Sequence, residues 1–78
     1  MQQQMSVKFT SNCVLKLYTC DNKGWFDFLE CKHFCAGDVT SFTVLGCVPE
    51  DEESLIVRFP SGGIAFCVRK EWFQTNGN

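Results

Sequence analysis

The chain has 78 residues, of which 45% are hydrophobic and 21% charged, and a formal net charge of −2. That length sets a single domain that buries only about 60% of its unfolded surface, and this apolar content excludes a disordered tail-like chain. The seven Lys and Arg are scattered, with no run longer than Arg69-Lys70. The basic stripe that duplex DNA or RNA binders use for phosphate contacts is therefore absent.

Residues 1–5 place three glutamines between two methionines and read as a flexible tail, with no signal-peptide pattern. No apolar run approaches the ~20 residues of a membrane span, so a cytoplasmic protein is expected. "SVKFT" is a short β-biased run that Ser11-Asn12 breaks. "CVLKLYT" alternates, with Cys13, Leu15 and Leu17 on one face and Val14, Lys16 and Tyr18 on the other. "DNKG" at 21–24 is turn chemistry, Gly24 supplying a positive φ.

The next run, "WFDFLECKHF", is long and apolar on both faces: Phe26, Phe28 and Phe34 on one, Trp25, Leu29 and Cys31 on the other. Such a strand bends or crosses between sheets. Gly37-Asp38 then stops the chain, and "VTSFTVLGCV" restarts it as a β-branched, aromatic strand. "PEDEES" at 49–54 reads as an acidic connection, followed by strand "LIVRF", the hairpin signal "PSGG" and strand "IAFCVRK" with Ile64, Phe66 and Val68 on one face. "EWF" reads as one helical turn closing a barrel end, and residues 75–78 as a second flexible tail. Five to six short antiparallel strands over residues 6–74, with no sustained helical period, predict an all-β domain, a small and partly open barrel.

The pattern F-x-A-G-D-V, then L-I-V-R-F-P-S-G-G-I-A-F-x-V, then W-F resembles small SH3-like β-barrel proteins, including short ones encoded by bacteriophages. In such proteins a strand like "VKFT" opens the barrel, a Gly-Asp turn leads into the central strands, a glycine hairpin joins the last two, and an aromatic closes the base. Gly37-Asp38, Gly62-Gly63 and Phe73 stand at those places, so the resemblance spans roughly residues 7–73 and leaves the stretch 25–35 outside it. It implies a binding role, in the host cytoplasm if the chain is phage-encoded, as a modulator or inhibitor docking on a host protein. Fold alone does not fix function.

Candidate chemistry is sparse. Cys31, His33 and Cys35 are the only close set of metal-ligand types, but same-face strand positions stand nearly 7 Å apart at ~3.3 Å per residue, too far for one ion without a kink. A zinc-stabilised module is the alternative this set offers. Any Cys–His catalysis would have to use His33, and no orienting group accompanies it, so no enzyme and no cofactor are expected. Four of the six cysteines, Cys13, Cys20, Cys47 and Cys67, lie in or beside apolar runs and read as reduced, buried thiols.

Two features point to a protein partner. Eight Phe, two Trp and one Tyr exceed, together with the aliphatic set, what a barrel interior of about a dozen large side chains holds. Some of Tyr18, Trp25, Phe26, Phe28 and Trp72 must therefore be exposed, as a partner surface or a homodimer seam. Glu50, Asp51, Glu52 and Glu53 form the second feature, an acidic run able to steer an encounter with a basic site. The expected contact residues are Trp25, Phe26, Phe28 and these four acids. A single-stranded nucleic-acid binder, which would stack bases on the same aromatics, is the other reading.

Overall fold

A computed structural model describes residues 4–76 as one antiparallel sheet. Its strands are β1 (Gln4–Phe9), β2 (Cys13–Cys20), β3 (Phe26–Phe34), β4 (Val39–Val48), β5 (Asp51–Arg58), β6 (Ile64–Arg69) and β7 (Phe73–Thr75), with a 3-10 turn at Lys70–Trp72. They lie in the order β3-β2-β6-β5-β4-β1-β7, so β3 and β7 are the edges. Among the described residues that makes seven strands, one more than the upper expectation. Among the described residues no helix is long and apolar enough to cross a membrane.

One face of the sheet carries the whole core. Val7 and Phe9 of β1, Leu15 and Leu17 of β2, Phe34, Phe42, Leu55, Val57, Phe59, Ala65 and Val68 are all buried together. Among the described residues no second layer covers them, so the sheet must curl over its own apolar face. The rings show the curl: Phe9 of β1 stacks on Phe34 of β3 with centroids 4.4 Å apart, although these strands lie toward opposite ends of the sheet. Phe59 continues the stack beside Phe34 at 5.9 Å, and Phe42 meets Phe59 and Phe73 edge-on. Each buried ring removes roughly 150–250 Å² from water, which is how so short a chain supports a core.

The glycine turns form where expected. Gly24, Gly37 and Gly62 all take positive φ. At the first, Asp21 Oδ1 accepts the N–H groups of Lys23 and Trp25 at 2.8 and 3.0 Å. The chain ends differ from expectation. Gln4 and Met5 belong to β1 and pair with Thr43 and Phe42, while Thr75 pairs with Val7. A neighbouring strand orders residues whose own pattern carries no strand signal; residues 1–3 and 77–78 of the expected tails lie outside the described residues.

The acidic connection is also shorter than expected, because β5 starts at Asp51 and Ser54 is buried. Asp51 organises this turn: its carboxylate accepts hydrogen bonds from Ser54 Oγ at 2.8 Å, the Glu53 N–H at 3.1 Å and Arg69 Nη1 at 2.9 Å. The Ser54 hydroxyl first, then the Glu53 amide and the Arg69 guanidinium, hold the Asp51 carboxyl below its ordinary value. A depressed folded-state pKa gives stability that is present above the unfolded value near 3.9 and lost as pH falls through the folded one. Asp51→Asn should therefore lower the urea midpoint at pH 7, and the gap from wild type should close once the pH is low enough to protonate Asp51 in the folded protein. An equal gap at both ends of the pH range would show that the charge contributes nothing.

Candidate functional site

The outer, convex face of the sheet carries a second set of aromatics, and two bulges put them there. In β3 the register against β2 slips at Leu29: Leu17 pairs with Glu30 and Tyr18 with Phe28, leaving Leu29 as the extra residue. Phe26 and Phe28 thereby stay on the outer face with Cys20 and Tyr18, whereas Phe34 turns inward opposite Cys13. The expectation that Phe26, Phe28 and Phe34 share a face is thus corrected, and the bend read from the two-sided apolar pattern is this bulge, within one sheet.

The second bulge lies in β6. Ala65 pairs with Val57 and Val68 with Leu55, so Phe66 and Cys67 together span the place of one residue. Cys67 takes φ 63°, the left-handed region that L-residues avoid. Phe66 is consequently exposed instead of joining Val68 in the core, another correction to simple alternation. The outward Phe66 completes a ring cluster. Tyr18 meets Phe28 at 5.9 Å and Phe66 at 5.7 Å, and Phe26 meets Phe66 edge-on at 5.2 Å.

These rings touch one another yet remain open to solvent: Phe26 is 49% exposed, Phe28 57% and Phe66 37%. Trp25, just before β3, is 69% exposed. Beside the cluster the sheet splits. β2 and β6 pair only at Leu17–Ala65 and Tyr18–Ile64, and beyond that point a groove of about 350 Å³ opens between them. Val14, Leu15, Lys16, Tyr18, Phe66, Cys67 and Trp72 line it, and Lys16 is the one charged side chain among them. An apolar wall with a single cation suits an apolar contact fixed by one carboxylate or carbonyl.

Of the acidic residues expected to join this surface, Glu50 and Glu52 are exposed, Asp51 is engaged with Ser54 and Arg69, and Glu53 lies 3.7 Å from Lys70. Arg69 ends β6, three residues beyond Phe66, or about 7 Å with the bulge taking one residue out of the usual rise. The acidic turn and the aromatic cluster therefore flank opposite ends of one strand.

Cys31 and His33 lie on the outer face, opposite Lys16 and Val14, and Cys35 follows in the turn. Among the described residues no three His, Cys, Asp or Glu side chains are placed to hold a metal ion. His33 and Cys35 border a smaller cavity of about 230 Å³ with Asn12, Cys13 and Phe34; Cys31 does not reach it. All six thiols are free, but only Cys13 is partly buried, which raises its pKa and keeps it a neutral thiol. The other five are exposed, correcting the reading of Cys20, Cys47 and Cys67 as interior. For Cys67 the physical reason is the β6 bulge, which leaves it outside the inward set formed by Ala65 and Val68.

Nothing in the sequence marks Phe66 or the groove, because a bulge at a cysteine carries no residue signature; glycine would have marked it. No family model, curated protein or solved structure matches the chain.

Proposed function

We propose that this chain is a non-enzymatic binding protein that docks on another protein through the outer face of β3, β2 and β6. The observation that carries the reading is the cluster in which exposed Phe26, Phe28 and Phe66 gather around half-buried Tyr18 on the convex side of the sheet. A core needs its rings inside. Rings assembled outside, where they gain little from folding, are the usual centre of a protein contact. Glu50 and Glu52, exposed at the far end of β6, add steering toward a basic rim.

The curled sheet is best read as a partly open, SH3-like barrel, with the turn at Lys70–Trp72 near its base. Together with the resemblance to phage-encoded barrels, this directs the partner search to bacterial host proteins and gives the chain the role of modulator or inhibitor.

The test compares wild type with the double substitution Phe28→Ser, Phe66→Ser as immobilised bait in bacterial lysate, circular dichroism confirming that both proteins are folded. The expected result is one partner retained by wild type and reduced roughly tenfold or more by the double substitution, the scale of losing two central aromatics. If both baits retain the same proteins in the same amounts, this reading ends. Salt-dependent oligonucleotide binding that needs the same two rings would move the chain to the single-strand class.

A further inference from the structure

The free edge of β3 carries a pattern that fits itself. Along this strand Phe26, Phe28, Cys31 and His33 face outward, paired with Cys20, Tyr18, Lys16 and Val14, while Asp27, Glu30, Lys32 and Phe34 face inward with Thr19, Leu17, Leu15 and Cys13. Among the described residues β3 pairs with β2 on one side and with no strand on the other, and eight of its nine residues are exposed. Charged side chains and a bulge usually guard such an edge against pairing. Here the order of the charges has a different consequence.

A second copy joining antiparallel, about a two-fold axis normal to the sheet, must set outward residues against outward ones. Because Leu29 shifts the alternation, an axis at the bulge is needed to match the faces. One between Leu29 and Glu30, rather than one residue earlier where Asp27 would be set against Glu30, matches them over the longest run, Phe26 to His33. In that register Phe28 lies across from Cys31 of the second copy, Asp27 across from Lys32, and Phe26 across from His33, each pair occurring twice. The two Asp27–Lys32 pairs are opposite in sign and sit at directly opposed, same-face positions. Glu30 falls beside the axis and meets Glu30 of the second copy once; both are exposed, so salt weakens that repulsion below the two Asp27–Lys32 attractions. One residue further out, Trp25, the most exposed large apolar residue, comes level with Phe34 of the second copy. Charges that would repel a foreign strand thus select one register for this one.

We propose that the occupant of the β3 edge is a second copy of this chain, paired through Phe26–Phe28 and Cys31–His33. The pairing makes one continuous sheet and sets two aromatic outer faces side by side. This inference does not rest on the proposed function, because its readout is mass and needs no other partner.

The experiment is analytical ultracentrifugation of the full chain over a concentration series reaching about 0.5 mM. Wild type is expected to sediment at twice the 8.9 kDa chain mass. Asp27→Lys alone and Lys32→Asp alone each place like charges opposite at two positions and should weaken the dimer by roughly thirtyfold. The double variant Asp27→Lys, Lys32→Asp restores both pairs and should dimerise as wild type does. Mixing the two single variants should give a heterodimer, since lysine then meets aspartate at every opposed position. A wild-type chain that stays monomeric throughout overturns the proposal. So does a dimer indifferent to both single reversals, or a charge swap that fails to rescue while circular dichroism shows each variant folded.

Discussion

Phe9→Ala is expected to destabilise the fold by about 3–5 kcal/mol, the scale for removing a fully buried ring. Phe9 is 0% exposed, stacks on Phe34 at 4.4 Å and meets Phe73 at 6.3 Å. It therefore ties β1 to β3 across the curl and to β7 beside it, and no apolar layer behind the sheet can relax into the cavity. A domain of this size has about 4–12 kcal/mol of total stability at 0.05–0.15 kcal/mol per residue, so the loss takes a large share of it. Phe28→Ala, which removes an exposed ring of the same size, should cost about 1 kcal/mol or less. Urea denaturation of both variants checks the contrast. Similar losses would mean that the curl does not seal the core as described.

The second large effect is at Gly37, where valine should cost about 2–3 kcal/mol while His33→Ala stays within about 0.5 kcal/mol. Gly37 has φ 98°, and its N–H donates to the Phe9 carbonyl at 2.8 Å, so the turn is fastened to the β1 core residue. The space around it is open: a β-carbon would meet nothing within 4 Å. The cost is therefore conformational, not steric against neighbours, and it depends on side-chain type. Asparagine, which tolerates positive φ better than a β-branched residue, should cost clearly less than valine. Thermal denaturation showing equal losses for Gly37→Asn and Gly37→Val would contradict this cause. Asp38 completes the corner by accepting the Cys35 N–H at 2.8 Å.

These two positions mark what the sequence makes legible. Glycine turns are readable because the backbone geometry they need excludes most residues, and Gly24, Gly37 and Gly62 all fall at turns. Clean alternation is readable too: Cys13, Leu15 and Leu17 face inward as the period of two requires. The failures share a cause. Wherever an extra residue enters a strand, parity changes without a compositional mark, as at Leu29 and at Phe66–Cys67. β7 is hidden because "FQT" becomes a strand only by pairing with β1, a neighbour far away in sequence. The acidic run reads as free loop because its anchor, Arg69, lies 18 residues further on.

For the candidate surface the outcome is mixed in the same way. Exposure of Trp25, Phe26 and Phe28 follows from counting aromatics against interior room, an argument that needs no topology. Phe66 and the groove beside Lys16 depend on where the β2–β6 ladder stops, which no local pattern reports. The acids divide because Asp51 has Ser54 and Arg69 within hydrogen-bond reach, leaving Glu50 and Glu52 as the freely exposed pair.

The bulge at Leu29 has a consequence for how this surface is inherited. Six positions separate Phe28 from Phe34, which regular alternation would set on one face; the extra residue at Leu29 is what turns Phe26 and Phe28 outward. Loss of the Leu29 codon would leave a regular ladder, with Phe28 still opposite Tyr18 and Glu30 still opposite Leu17, and both rings would stay outside. A codon gained there, with the bulge still taking up one residue, would carry both rings to the concave side and bring Asp27 out in their place. Substitution can only weaken the patch gradually; one insertion can abolish it at one stroke. The length of β3 is thus a one-sided heritable switch, tolerant of loss and not of gain.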